Sequence, residues 1–240
     1  MMFDYSDEFL TQLESRRWRG RYSIAGNVPR ISASPSQGHS KTAHPIRHAW
    51  DHVLQCRVVL KFSKPGQLFH EYRILQCLHN TQHIGRFTPI PVGQGSDGSW
   101  IATQLIPGKN AVDIQPADYP QVLQKAKQLI DCLDMLHQAG FIHGDIKPAN
   151  MILLPEPMLL DFGNAMAIGH PLSCHPTPGY SPSYSSDRWK TLEGTATPDL
   201  DWISFEKWWL QLTPFLSNRA QTDSWIVTQE AICQRLKQPV

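Results

Sequence analysis

Cysteine is scarce and scattered in this chain. Cys56, Cys77, Cys132, Cys174 and Cys233 are odd in number and contain no CxxC pair. That argues against a disulfide framework and a zinc knuckle, and in favour of a reducing compartment. Long apolar runs are also missing: no stretch approaches the roughly 20 residues a bilayer-crossing helix needs. The start, MMFDYSDEFLTQLESRRWRGR, carries acids where a secretory leader would carry bases. The expectation is a soluble, cytoplasmic protein with no membrane partner. An excess of charge is lacking too, since Lys+Arg 22 against Asp+Glu 21 leaves a net +1. Such balance argues against a protein built to coat nucleic acid. The 11 histidines are spread along the chain, and the expectation is that they give no metal site. No internal repeat is visible.

What remains is an ordinary globular composition, with 240 residues and a 41% hydrophobic share able to bury one core or two small lobes. Phe3, Phe9, Leu10 and Leu13 fall at helical spacing over 3–15, and RRWRGR at 16–21 reads as a solvated basic turn or a docking site. Residues 31–48, rich in Ser, Pro, Gly and His, read as a loop. CRVVLKF at 56–62 is a β-branched strand, and 66–80 sets Leu68, Phe69, Tyr72, Leu75 and Leu78 on one helical face. SWIATQLIPG at 99–108 reads as a buried strand stopped by Pro-Gly. A stronger helix covers about 117–139, with Gly140 as its stop. MILL and MLLDFG, split by Pro155 and Pro157, read as a hairpin. Residues 199–212 form a Trp-rich helix and about 222–237 a last one. The N-terminal third is therefore strand-rich and the remainder helix-rich.

HGDIKPANMILL, residues 143–154, departs from this generic pattern by crowding Asp145, Lys147 and Asn150 ahead of an apolar run. Lys61 sits inside an apolar strand, where desolvation is costly without a partner, and Glu71 on the next helix is a candidate partner. The oxygens of Asn150 and Asp161 suit Mg²⁺, a hard cation that usually also binds phosphate. Asp145 remains to accept a hydroxyl proton. A lysine, two metal ligands and a base make a phosphoryl-transfer site, where positioning and charge neutralisation are most of the catalysis.

VVLK, HGDIKPAN and DFG, in that order across residues 50–210, resemble the eukaryotic-type Ser/Thr protein kinase family. The resemblance implies an α+β, bilobal protein-kinase-like fold in a single domain over 1–240. Its strand-rich N-lobe would span about 1–103, its hinge 104–108 and its shortened helical C-lobe 109–240. It implies that Lys61, paired with Glu71, holds ATP phosphates, that Asp145 is the catalytic base, and that Lys147 meets the transferred phosphate. Asn150 and Asp161 would bind Mg²⁺, and the Gln104 carbonyl and Ile106 amide would meet adenine. TPGYSP at 177–182 is similar to the segment that cradles a protein acceptor, with Thr177 near Asp145. Asp201 matches the helix Asp that braces the catalytic loop.

Four features depart from the family. No GxGxxG lies upstream of Lys61; the stretch 33–42 either replaces it or is an ordinary loop. Gly144 stands where many protein kinases have an Arg that pairs with a phosphorylated segment. SPS at 181–183 replaces APE, so the Glu–Arg brace is missing. Only one helix follows the Trp-rich one. His143 reads as structural, packed on Phe162, and Trp202, Trp208 and Trp209 as core. Ser173, Thr177, Tyr180 and Ser181 are modifiable hydroxyls in a Ser/Thr-rich loop. The expected activity is Mg²⁺-dependent transfer from ATP to Ser/Thr hydroxyls of a protein partner, including the chain itself, in a small bacterial-type kinase. The alternatives are a small-molecule kinase of the aminoglycoside or choline type, suggested by Gly144, and a nucleotide-binding pseudokinase acting as an interaction module.

Overall fold

The computed structural model describes residues 21–27, 46–81, 83–176 and 178–237. They fall into two compact units. One runs through Phe69 and takes in Pro91–Ile106; the other holds His70–Ile90 and the chain from Pro107 onward.

The first unit is a five-stranded antiparallel sheet. Its strands are β1 (Tyr22–Asn27), β2 (Ile46–Asp51), β3 (Cys56–Phe62), β4 (Pro91–Gln94) and β5 (Trp100–Gln104), ordered β1-β2-β3-β5-β4. Period-two alternation in β3 buries Val58, Leu60 and Phe62 on one face, packed with Ala49 and Ala102. Each such side chain contributes roughly 1.5–3 kcal/mol relative to exposure. Lys61 falls on the other face, in register with Ile46 on β2 and Ile101 on β5. The β2–β3 turn is held by buried Asp51, whose Oδ1 accepts the N–H groups of Val53 and Leu54 at 2.9 and 3.0 Å.

β2 corrects the loop expected over 31–48, because residues 46–48 are strand; 31–45 lie outside the described residues. Only Ala49 and Asp51 of β2 are buried, so its order comes from pairing on both edges rather than from its own hydrophobic pattern. Arg21, the described end of RRWRGR, keeps a 38% exposed side chain and donates to Asp51 Oδ2 at 3.1 Å and to the Val92 carbonyl at 2.9 Å. The helix expected at 3–15 and the rest of RRWRGR lie outside the described residues.

The second unit is mainly helical. It holds most of α1 (Phe69–Asn80), then α2 (Tyr119–Gln138), α3 (Asp187–Thr191), α4 (Asp199–Leu210) and α5 (Arg219–Leu236). Short strands complete it: β6 (Lys109–Asn110), β7 (Phe141–Ile142), β8 (Met151–Leu154), β9 (Met158–Leu159) and β10 (Met166–Ala167). They pair as β6-β8-β9 and β10-β7. Val122, Leu123, Ala126, Ile130, Leu133 and Leu136 give α2 its buried stripe. Gly140, at φ +85°, ends it in the left-handed conformation that favours glycine. α4 buries Trp202, Phe205, Trp208 and Trp209. Trp209 stacks on Trp225 of α5 at 6.3 Å between ring centroids. Arg235 then ties α5 to α2, its Nε reaching Asp134 Oδ1 at 2.9 Å with the guanidinium over the Trp202 ring. The fold is thus α+β, sheet-rich at the N-terminal side and helical beyond. Among the described residues no helix is long and apolar enough to cross a membrane.

Candidate active site

The segment 143–150 lies between β7 and β8 and is anchored from α4. Asp201, 1% exposed, accepts the backbone N–H of His143 at Oδ2 (2.7 Å) and that of Gly144 at Oδ1 (2.8 Å). The His137 ring of α2 also reaches Oδ2, at 3.0 Å. These bonds satisfy two loop donors that burial would otherwise leave orphaned. Burial pushes the Asp201 pKa up, but the His137 hydrogen bond and charge, then the His143 ring and N–H, outweigh it; the net shift is below the usual value. His143 is itself buried, 4.7 Å from the Phe162 ring, and its Nδ1 accepts the Asp145 N–H at 3.3 Å. With Nδ1 accepting, Nε2 is the donor to the Leu160 carbonyl at 2.9 Å.

Anchoring the loop this way converges three of the expected site residues. The Asp145 carboxylate is 2.5 Å from Lys147 Nζ, and its Oδ2 also accepts Asn150 Nδ2 at 3.0 Å. The same Asn150 nitrogen donates to the Asp145 carbonyl at 2.9 Å, which fixes the amide orientation. Oδ1 of Asp145 accepts the Ser181 hydroxyl at 2.7 Å, and Lys147 Nζ donates to that hydroxyl at 3.1 Å. A buried carboxylate is therefore held by an ammonium and an amide while a serine hydroxyl donates to its second oxygen.

Asp161 enters through the β8–β9 hairpin. Met151 pairs with Leu159, and the Leu160 N–H donates to the Asn150 carbonyl at 2.8 Å. Asn150 and the residue before Asp161 are thus tied directly. Asp161 adopts φ 64°, ψ 73°, a left-handed conformation that costs a non-glycine residue energy and concentrates at functional sites. The donor set fits Mg²⁺: with both Asn150 N–H bonds spent on Asp145, its amide oxygen remains as a hard ligand, next along the hairpin from a carboxylate.

The remaining expected residues divide between the two units. Lys61, Gln104 and Ile106 belong to the sheet unit, with Gln104 in register with Val58 and the Leu105 N–H donating to the Arg57 carbonyl at 2.9 Å. Glu71 is buried on α1 and groups with the helical unit. Thr177 and the stretch 33–42 lie outside the described residues.

Comparison with known proteins bears on the fold and the kinship. Residues 91–172 match the family model described as the phosphotransferase enzyme family, APH. The chain is 29% identical to the calcium/calmodulin-dependent protein kinase cmkA of Emericella nidulans, over 48% of this chain and 30% of that protein. It is 37% identical to the serine/threonine-protein kinase PknJ of Mycobacterium tuberculosis, over 32% of this chain and 15% of that protein. The chain thus spans under a third of these curated relatives. Among solved structures, the Cydia pomonella granulovirus kinase PK-1 superposes with a TM-score of 0.60 at 14% identity, over 83% of this chain and 72% of that one.

The fold is protein-kinase-like.

Against that fold, two departures of the sequence acquire physical reasons. Gly144 has φ +75°, and a Cβ there would stand 2.5 Å from the Asn164 carbonyl oxygen and 2.9 Å from the Trp189 ring. An arginine at this place is excluded by shape. The segment that lacks the Glu–Arg brace is held by other groups. Lys207 of α4 donates to the Ser185 carbonyl at 2.8 Å, and Ser185 Oγ accepts the Ser181 N–H at 2.9 Å. The Asn164 side chain clamps the Gly179 backbone twice, at 2.9 and 3.0 Å. Sequence reasoning missed the roles of Ser181, Lys207 and Asn164. The only signal was the placement of Ser181 within TPGYSP.

Proposed function

We propose that this kinase-like chain transfers the γ-phosphoryl group of ATP to a Ser or Thr hydroxyl of a protein, with Mg²⁺. The observation that carries the reading is the Asp145 carboxylate, fixed by Lys147 and Asn150, with a hydroxyl 2.7 Å from its open oxygen. That is the hydrogen-bond reach a general base needs for the proton it removes. Asp145 orients the acceptor and takes its proton. Lys147 offsets charge on the transferred group, and Asn150 with Asp161 would hold Mg²⁺, which neutralises phosphate charge. Lys61, with Glu71, is assigned to the nucleotide phosphates and Gln104 and Ile106 to adenine, in one kinase-like domain with 104–108 as hinge. Protein kinases among the curated relatives support the acceptor class.

A second reading, transfer to a small hydroxyl compound, is supported by the phosphotransferase-family match over 91–172 and by the obligatory Gly144. Incubation with γ-labelled ATP and Mg²⁺ tests both, comparing wild type with Asp145→Ala and Asp161→Ala. Label on protein that both substitutions abolish is expected. Label only on an added aminoglycoside or choline selects the second reading. Equal labelling in all three chains removes the site assignment, and no turnover with no Mg·ATP-dependent rise in melting temperature leaves a pseudokinase.

A further inference from the structure

Separate parts of the helical unit meet at Asn164, three residues beyond Asp161. Its side chain meets Gly179 as one peptide group meets another. Nδ2 donates to the Gly179 carbonyl at 2.9 Å, and Oδ1 accepts the Gly179 N–H at 3.0 Å. Only one orientation of the amide satisfies both bonds. The same Gly179 carbonyl accepts the Trp189 indole N–H from α3. The Asn164 main chain lies against the loop of Asp145, its carbonyl oxygen 2.5 Å from where a Cβ on Gly144 would stand. One residue on, the Ala165 N–H closes the turn on the Phe162 carbonyl at 3.1 Å. The Ala165 carbonyl in turn accepts the His70 Nε2–H at 2.7 Å, from the residue of α1 that precedes Glu71. One short turn therefore joins Asp161, the loop of Asp145 and α1, and a single side chain adds the segment that carries Ser181.

We propose that Asn164 is a positioning residue, which fixes the segment from Gly179 to Ser185 to the turn that carries Asp161. The inference rests on the phosphoryl transfer proposed above, where Asp161 is a Mg²⁺ ligand and this segment stands on the acceptor side of Asp145. Such transfer needs the attacking oxygen, the phosphorus and the metal held in one alignment. A misplacement of about 1 Å costs on the order of 10²-fold in rate. Asn164 acts through the Gly179 backbone, two residues before Ser181, and so differs in role from the residues assigned to base, phosphate and metal. The clamp needs a donor and an acceptor on one short stem. Leucine, of similar shape, supplies neither group. Aspartate keeps the acceptor and turns an oxygen toward the Gly179 carbonyl, where the two repel.

The test compares the full wild-type chain with Asn164→Leu and Asn164→Asp by amide hydrogen exchange and by transfer kinetics. In Asn164→Leu the Gly179 amide should exchange about 2- to 10-fold faster, the ratio that one net hydrogen bond is worth. Amides within α2 and α4 should keep their wild-type rates. Asn164→Asp, which guards against a leucine variant that fails to fold, should loosen the same segment. Label passed from γ-labelled ATP to protein, counted on the chain and on added casein together, should fall about 10- to 100-fold in kcat. KM for ATP should stay within about twofold of wild type, since the nucleotide residues are untouched. Faster exchange at Gly179 with unchanged transfer overturns the positioning role and leaves the kinase reading standing. Unchanged exchange at Gly179, or an equal rise throughout α2 and α4, overturns it as well. So does a raised KM for ATP with kcat intact, which would set Asn164 among the nucleotide residues. An absence of transfer in the wild type overturns the inference together with the activity on which it rests.

Discussion

The backbone nitrogen of Gly144 lies 2.8 Å from Oδ1 of Asp201, a residue 57 positions further along the chain. With the His143 N–H on the other oxygen, one buried carboxylate sets the path of the loop that carries Asp145. Asp201→Ala should therefore cost about 3–5 kcal/mol, the range for breaking a buried charged network. Asp201→Asn turns an amide N–H₂ toward a backbone N–H, at a cost of roughly 1–3 kcal/mol. Urea denaturation of both variants measures this, and an Asp201→Ala chain as stable as wild type would show that the loop is held by something else.

Acid should reveal the same carboxylate. The Asp201 pKa lies below its ordinary value of 3.8 in the folded chain, because its hydrogen bonds and neighbouring rings outweigh burial. On acidification the unfolded chain takes up that proton first. The stabilisation is complete above 3.8 and is lost as pH falls through the lower folded value. The stability gap between wild type and Asp201→Asn should hold at neutral pH and shrink in acid. A gap unchanged well below 3.8 would contradict the assignment.

The elements legible in the sequence are those whose order is local. β3 shows its alternation in Val58, Leu60 and Phe62, and α2 shows its stripe from Val122 to Leu136. β2 buries little of its own, so nothing in its residues announces a strand that two neighbours define. The site divides the same way. Asp145, Lys147 and Asn150 lie within six residues, so one loop brings them together. Ser181 reaches Asp145 across 36 positions, and Lys207 reaches Ser185 across 22, through contacts that no local pattern encodes. Gly144 shows a further limit. The sequence marks it as an arginine lost, whereas its positive φ and the nearby Asn164 carbonyl make glycine a steric requirement.

That requirement is testable. A left-handed conformation costs an L-residue roughly 1–2 kcal/mol, and forcing atoms into a packed place adds about 1–3 kcal/mol. Gly144→Ala should lower stability by about the sum of these. Gly144→Arg should lower it further rather than restore control by phosphorylation. Thermal melting decides the matter, and a Gly144→Ala chain that melts with wild type would refute the clash.

Lys207 gives the last test, because it stands in for a brace the chain does not have. Its ammonium meets the carbonyl of buried Ser185, and Ser185 in turn holds the backbone of Ser181 against Asp145. Burial, and next the nearby Lys190, lowers the Lys207 pKa, as expected for an ammonium tucked against the segment. Lys207→Met keeps the aliphatic stem and removes the donor, leaving a buried carbonyl unmet at a cost of roughly 1–3 kcal/mol. The Ser181–Ser185 turn loosens, so phosphoryl transfer should fall. Mg·ATP should still raise the melting temperature, since neither Lys207 nor Ser185 is among the residues assigned to the nucleotide. Unchanged transfer would mean that Asn164, through its double clamp on Gly179, holds the segment without Lys207. A lost Mg·ATP response would mean that Lys207 supports the nucleotide residues as well.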